Sequence, residues 1–176
     1  MDELEKILIG CRRFDRTSQE LLYKKYYPAM YTLCKKFFKE RHEIQTALNN
    51  GMLLIFKNIQ SFDIQKGTLF NWMYQIVRNS CLTTLRKPKH PEVLCEFLPD
   101  TETLIDSSDL DWVFECLDYL PKTTRAICSL YYIEGFSIKE ISEDINMKVG
   151  TVKWHLNESR TRLKIIIAKR NQSQVD

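Results

Sequence analysis

At 176 residues the chain has length for one ordinary domain or two small ones, and only five glycines and five prolines favour helix over a sheet built on tight turns. A formal net charge of +3 admits nucleic acid as a partner without demanding it. Its six cysteines form no CxxC pair, no apolar run approaches the ~20 residues that would span a bilayer, and the acidic opening Met1-Asp2-Glu3 is unlike a secretory leader. The expectation is a reduced, cytoplasmic chain with no membrane partner, no metal and no cofactor. His42, His90 and His155 lie in unrelated settings and no phosphate-cradling loop appears, so an enzyme is not expected.

In chain order, a short helix is expected near residues 3–10, then a long one over 17–40. Thr17 or Ser18 can cap the long helix, and Leu21, Leu22, Tyr26, Met30, Leu33, Phe37 and Phe38 recur at helical spacing. Pro28 removes a backbone donor inside that pattern and should kink the helix there or split it near Tyr27. A third helix is expected over 43–60, with Ala47, Met52, Ile55, Phe56 and Ile59 on its apolar face. A polar break containing Gly67 follows. The fourth helix, 68–86, has Leu69, Met73, Ile76, Val77 and Leu82 as its buried stripe.

Composition then shifts at "KPKHPEVLCEFLPDTETLIDSSDLD". Three prolines bar continuous helix, and Glu92, Glu96, Asp100, Glu102 and Asp106 repel one another, so residues 88–108 read as an extended linker. It divides the chain into a first domain, 1–87, and a second, 109–176. Ser107 or Ser108 caps the next helix, at 109–119, and further helices are expected at 122–133, 138–145 and 149–169. Ser137 and Glu140 have the S-x-x-E spacing of a capping box. The fold class is therefore all-α, two small helical domains joined by an acidic, proline-containing linker.

The last two helices have helix-turn-helix proportions: a short helix, a break at Asn146-Met147-Lys148, then a long helix. Ile138, Ile141, Ile145, Val152, Leu156 and Leu163 would face inward. The exposed start of the long helix would then enter a major groove. Lys148, Lys153 and Arg160 are placed for phosphates, and Thr151, Trp154, His155 and Asn157 for base edges or thymine methyls. The plainer alternative is a solvated cationic face, with Trp154 packed against the preceding helix.

Residues 120–164, "LPKTTRAICSLYYIEGFSIKEISEDINMKVGTVKWHLNESRTRLK", resemble the promoter-binding region four of sigma-70-type initiation factors, above all the extracytoplasmic-function (ECF) group. Residues 61–87, "SFDIQKGTLFNWMYQIVRNSCLTTLRK", are similar to that family's region two. The resemblance implies a non-enzymatic specificity subunit that binds core RNA polymerase and directs promoter recognition, DNA melting and transcription initiation. Region four would grip the minus-thirty-five duplex and region two would capture unstacked bases of the minus-ten element. Capture needs planar surfaces beside cations. Phe62, Lys66, Asn71, Trp72, Tyr74 and Gln75 offer these, with Arg78, Arg86 and Lys87 following the phosphates, although Trp72 fits the core equally well. Of these, Lys66, Asn71 and Gln75 are the leading strand contacts.

The resemblance also places the polymerase clamp on the third helix. There the family's acidic pair is replaced by Gln45-Thr46 and its Gln-Glu by Asn49-Asn50, so docking is expected through Gln45, Asn49 and Asn50 with Met52, Ile55 and Phe56. Lys148 stands where a capping serine is usual, and His155 and Glu158 where arginine is common, which implies an altered base preference. An anti-sigma factor or another recruiting protein is admitted as a further partner. Two other readings stay open: a stand-alone helix-turn-helix regulator of duplex DNA, and a helical adaptor working through protein contacts.

Overall fold

A computed structural model describes residues 2–86 and 108–173, and every regular element among them is helical. The first half contains α1 (Glu3–Arg12), α2 (Arg16–Lys35), α3 (Arg41–Asn58) and α4 (Leu69–Arg86), with single 3-10 turns at Ile59–Ser61 and Ile64–Lys66 between the last two. The second half contains α5 (Ser108–Asp118), α6 (Lys122–Tyr132), α7 (Ile138–Asp144) and α8 (Val149–Ser173). The expected linker lies outside the described residues except for Ser108, as do Lys87, Cys95 and the Ser107 cap.

Three expectations for α2 are corrected. Its cap is Asp15, whose carboxylate accepts hydrogen bonds from the Ser18 backbone N–H at 2.8 Å and the Ser18 hydroxyl at 2.6 Å. Those bonds hold the Asp15 carboxyl below its usual value. The helix is also not split near Tyr27: it continues through Pro28 to Lys35. The carbonyl that loses its donor belongs to Lys24, on the exposed side, where water can serve it. The helix ends at Lys35, so Phe37 and Phe38 are buried from the following turn rather than from a helical stripe.

In the first half α2, α3 and α4 form the bundle and α1 lies along α2. Gly51 sets the approach of α3 to α4: a Cβ there would stand 2.8 Å from Val77 Cγ2 and 3.1 Å from Val77 Cα. Between α2 and α4 the thiols of Cys34 and Cys81 meet at 3.6 Å, and that contact together with burial raises the Cys34 pKa well above the ordinary range.

Buried residues of the two halves form one continuous cluster, running from Met30, Leu48 and Met73 to Ala126, Ile127, Leu130 and Ile141. A smaller cluster, Phe114, Leu117, Leu120 and Cys128, seats α5. The seam between the halves is polar at its heart. Arg125 of α6, 2% exposed, donates to the Lys35 carbonyl at the C-terminal end of α2 and pairs with Asp118. The Ser129 hydroxyl donates to the Lys36 carbonyl at 2.9 Å. The second half thus supplies the donors that the last turn of α2 lacks.

Candidate nucleic-acid interface

Local chemistry builds the second-half surface. The Ser137 hydroxyl accepts from the Glu140 N–H at 3.3 Å and the Glu140 carboxylate from the Ser137 N–H at 2.8 Å, so the expected capping box starts α7. The break that follows turns through Asn146 at φ 51°, a left-handed conformation that Asn tolerates better than most residues. The Ser142 hydroxyl and the Met147 carbonyl close the turn at 2.5 Å. Ile141, Ile145, Val152 and Leu156 are buried between the two helices as their spacing requires.

The first turns of α8 therefore face outward. Lys148, Thr151, Lys153 and Asn157 are exposed, and Trp154 is 59% exposed, which removes the packed alternative for that ring. The unpaired amides at the helix start add a positive dipole end to this surface. His155 is placed differently from its neighbours. It is half-buried, its Nδ1 is 2.9 Å from the Thr124 hydroxyl, and burial pulls its pKa below the usual value, against an opposing pull from Glu158. A neutral imidazole tying α8 to α6 is the result. Arg160 is exposed and donates from Nε to the Tyr132 hydroxyl at 2.7 Å.

The first-half surface forms around the turn into α4. Asp63 accepts from the Gln65 N–H at 3.0 Å, and the Thr68 hydroxyl accepts from the Asn71 N–H at 3.2 Å. Between them Gly67, at φ 145°, has the conformational freedom the turn needs. Lys66, Asn71, Gln75 and Arg86 are exposed, and Trp72 is half-buried. Phe62 is a correction: it is 6% exposed and packs at 5.5 Å, tilted, on Trp72, so it supports that ring instead of meeting a base. Tyr74 and Arg78 are already engaged by the second half. The Tyr74 hydroxyl donates to Glu134 at 2.7 Å, and the Arg78 guanidinium lies 4.5 Å from the Phe136 ring centre.

On α3 the expected docking set divides. Met52 and Ile55, 2% and 0% exposed, are core residues and offer no side chain to a partner. Gln45 bonds Tyr27, and Asn49 accepts from the Tyr23 hydroxyl at 2.9 Å. Asn50 is exposed and Phe56 partly so. Leu53 and Leu54 are the exposed apolar residues of this helix, and sequence reasoning missed them. They fall outside the buried stripe of Ala47, Leu48, Met52 and Ile55, which was the available clue. Phe70 was missed likewise; it is exposed and its ring lies tilted against Tyr74, with centroids 5.8 Å apart.

Known proteins bear on both surfaces. Residues 22–90 match the family described as "Sigma-70 region 2", and residues 110–163 match "Sigma-70, region 4". The chain belongs to the sigma-70 family. Its relatives place it in the ECF group as a sigma factor directing transcription initiation. It is 27% identical over 156 residues to the ECF RNA polymerase sigma factor SigW of Bacillus subtilis, covering 79% of this chain and 83% of that one. Identity to the ECF RNA polymerase sigma factor SigE of Mycolicibacterium smegmatis is 25%, over 91% of this chain and 68% of the relative. Among solved structures, the sigma factor RpoE in complex with the anti-sigma factor NepR from Bartonella quintana shares the fold. Its TM-score is 0.50 at 18% identity, covering 85% of this chain and 96% of that one. In this sigma-family frame the matched segments cover both surfaces, and no described helix is long and apolar enough to cross a membrane.

Proposed function

We propose that this sigma factor works in the cytoplasm as a non-enzymatic subunit of RNA polymerase, with its two surfaces divided between duplex and single strand. Residues 1–87 serve core polymerase and the minus-ten element, 88–108 connect, and 109–176 serve the minus-thirty-five element. Lys148, Lys153 and Arg160 hold phosphates while Thr151, Trp154 and Asn157 face base edges. Lys66, Asn71 and Gln75 meet the unstacked strand, supported by Trp72, Tyr74, Arg78, Arg86 and Lys87. Core polymerase docks on the open side of α3 through Asn50, Leu53 and Leu54, with Gln45, Asn49 and Phe56 at its margin. An anti-sigma factor or recruiting protein is a further partner.

The observation that carries this reading is the fully presented start of α8, with Lys148, Thr151, Lys153, Trp154 and Asn157 all open to solvent on a helix-turn-helix. The decisive experiment is reconstitution with core polymerase, with start sites read by sequencing. Initiation at promoters that core alone ignores is expected. Failure to form both a stable complex with core and an open-promoter footprint sinks the proposal.

A further inference from the structure

The turn into α4 stands on a narrow stem. Up to Phe62 the chain is firmly seated: the Ile59 and Phe62 side chains are buried, and the Ser61 hydroxyl donates to the Asn58 carbonyl at 2.7 Å. From Asp63 to Gly67 the hydrogen bonds run within the turn itself, from the Lys66 N–H to the Asp63 carbonyl at 3.1 Å and from the Gly67 N–H to the Ile64 carbonyl at 3.4 Å. Its outer side chains stand clear of the fold. Ile64 is 74% exposed, the highest value for a large apolar side chain among the described residues, and Gln65 and Lys66 are exposed beside it. At the other edge of α4 long-range bonds are plural, with Lys36 donating to the Tyr74 hydroxyl at 3.0 Å and to the Glu134 carboxylate at 2.5 Å.

One residue far off in sequence bonds to the stem of this turn: Arg12, the last residue of α1. Its guanidinium donates to the Phe62 carbonyl at 2.8 Å, and the Gln60 side-chain amide donates back to the Arg12 carbonyl at 2.5 Å. The two bonds form a reciprocal clasp. A peptide group is planar, so holding the Phe62 carbonyl fixes the plane of the Asp63 nitrogen and hence the direction in which the turn leaves. The clasp itself is well based. Buried Ile7 and Cys11 seat α1, and Phe14, at φ 59°, turns the chain into the Asp15 cap. Gly10 lets that corner close, since a Cβ there would fall 1.9 Å from the Ser18 hydroxyl oxygen. Arg12 also gives up hydration: its Nε is buried with no hydrogen-bond partner among the described residues. A cation kept only for solubility carries no such cost.

We propose that Arg12 is a positioning residue for strand capture: through the Phe62 carbonyl it holds the 63–67 turn, with Lys66 and the exposed Ile64, at the angle that meets an unstacked base. Arg12 touches no DNA itself. This rests on the strand role of Lys66 proposed above. Without the donor the opening peptide is free to rotate, and the turn must be ordered anew each time a strand binds. That ordering weakens binding and blurs the discrimination between bases. The α8 surface lies outside the clasp and is unaffected.

The test uses holoenzyme assembled from the full chain and core polymerase, with core alone as baseline. The probe is a library of randomised single-stranded oligonucleotides, sequenced before and after capture. Arg12→Met keeps the length of the side chain and removes the donor, Arg12→Lys restores one, and Gln60→Ala opens the other half of the clasp from an exposed position. Arg12→Met should lower single-strand affinity roughly tenfold and flatten the base preference. Amide exchange in the full chain should quicken at residues 62–67 alone. Arg12→Lys should recover most of both losses, and Gln60→Ala should show the same pattern at about threefold. Duplex affinity should be equal in all four proteins. If Arg12→Met loses its helical circular dichroism, Gln60→Ala decides alone. Quicker exchange with unchanged affinity and preference overturns the proposal, and so does unchanged exchange or an equal loss of duplex binding. If the unaltered holoenzyme captures no more single strand than core alone, the strand surface itself falls and the proposal with it. Capture that Arg12→Met matches removes only the role of Arg12.

Discussion

The start of α8 and the middle of α4 carry similar chemistry, aromatic and cationic side chains on one helical face, but opposite surroundings. Trp154 and Lys153 face solvent, whereas Tyr74 and Arg78 are spoken for by groups from the other half of the chain. The difference lies in what the neighbouring turn presents. The turn before α8 folds back on itself through Ser142 and Met147, leaving the helix start clear. The turn after α6 projects Glu134 outward onto α4. Charge and periodicity describe both faces alike, and only tertiary contacts separate a presented surface from a covered one.

The contrast can be broken most forcefully at its anchor. Arg125→Ala removes a buried guanidinium and leaves the α2 carbonyl end without its donor. A loss of about 3 kcal/mol in global stability is expected by urea titration, with amide protection falling near residues 35–38. A loss confined to the second half would show that the anchor does not join the halves. Next in size, Gly51→Ala should cost about 1–3 kcal/mol, because the added methyl would stand 2.8 Å from Val77 Cγ2 with the Val77 backbone close behind it. This change strains the first half alone, so duplex affinity should survive it.

Smaller effects sharpen the open side. Lys153→Ala should lower the slope of log affinity against log salt by about 1 in duplex binding, without favouring any sequence. Thermal stability should hardly change, since Lys153 is exposed. The smallest expected effect is pH-dependent. The folded protein disfavours protonated His155, so its contribution to stability is complete above the ordinary histidine value and is lost as pH falls through and below it. Melting curves between neutral and mildly acidic pH should flatten in His155→Gln relative to the unaltered chain.

Much of the helical layout was legible, because each buried stripe repeats at helical spacing and capping residues such as Ser137 mark a start. Asp15 was overlooked as a cap because Thr17 and Ser18, equally suited by type, follow at once. Met52 and Ile55 show a second limit. Periodicity groups them on one face but does not say whether that face meets a partner or the chain's own core. Phe62 failed for the same reason. The Lys36–Tyr74–Glu134 cluster was invisible for another: its members lie 38 to 98 residues apart, beyond any local pattern.

The borrowed end of α2 also has a consequence for synthesis. Arg125 and Ser129, which complete that helix end, lie about ninety positions downstream of the carbonyls they serve. Translation adds roughly 5–20 residues per second, so the nascent first half waits several seconds for them outside the ribosome. During that interval Tyr74 and Arg78 of α4 also lack the Glu134 and Phe136 that meet them in the finished chain.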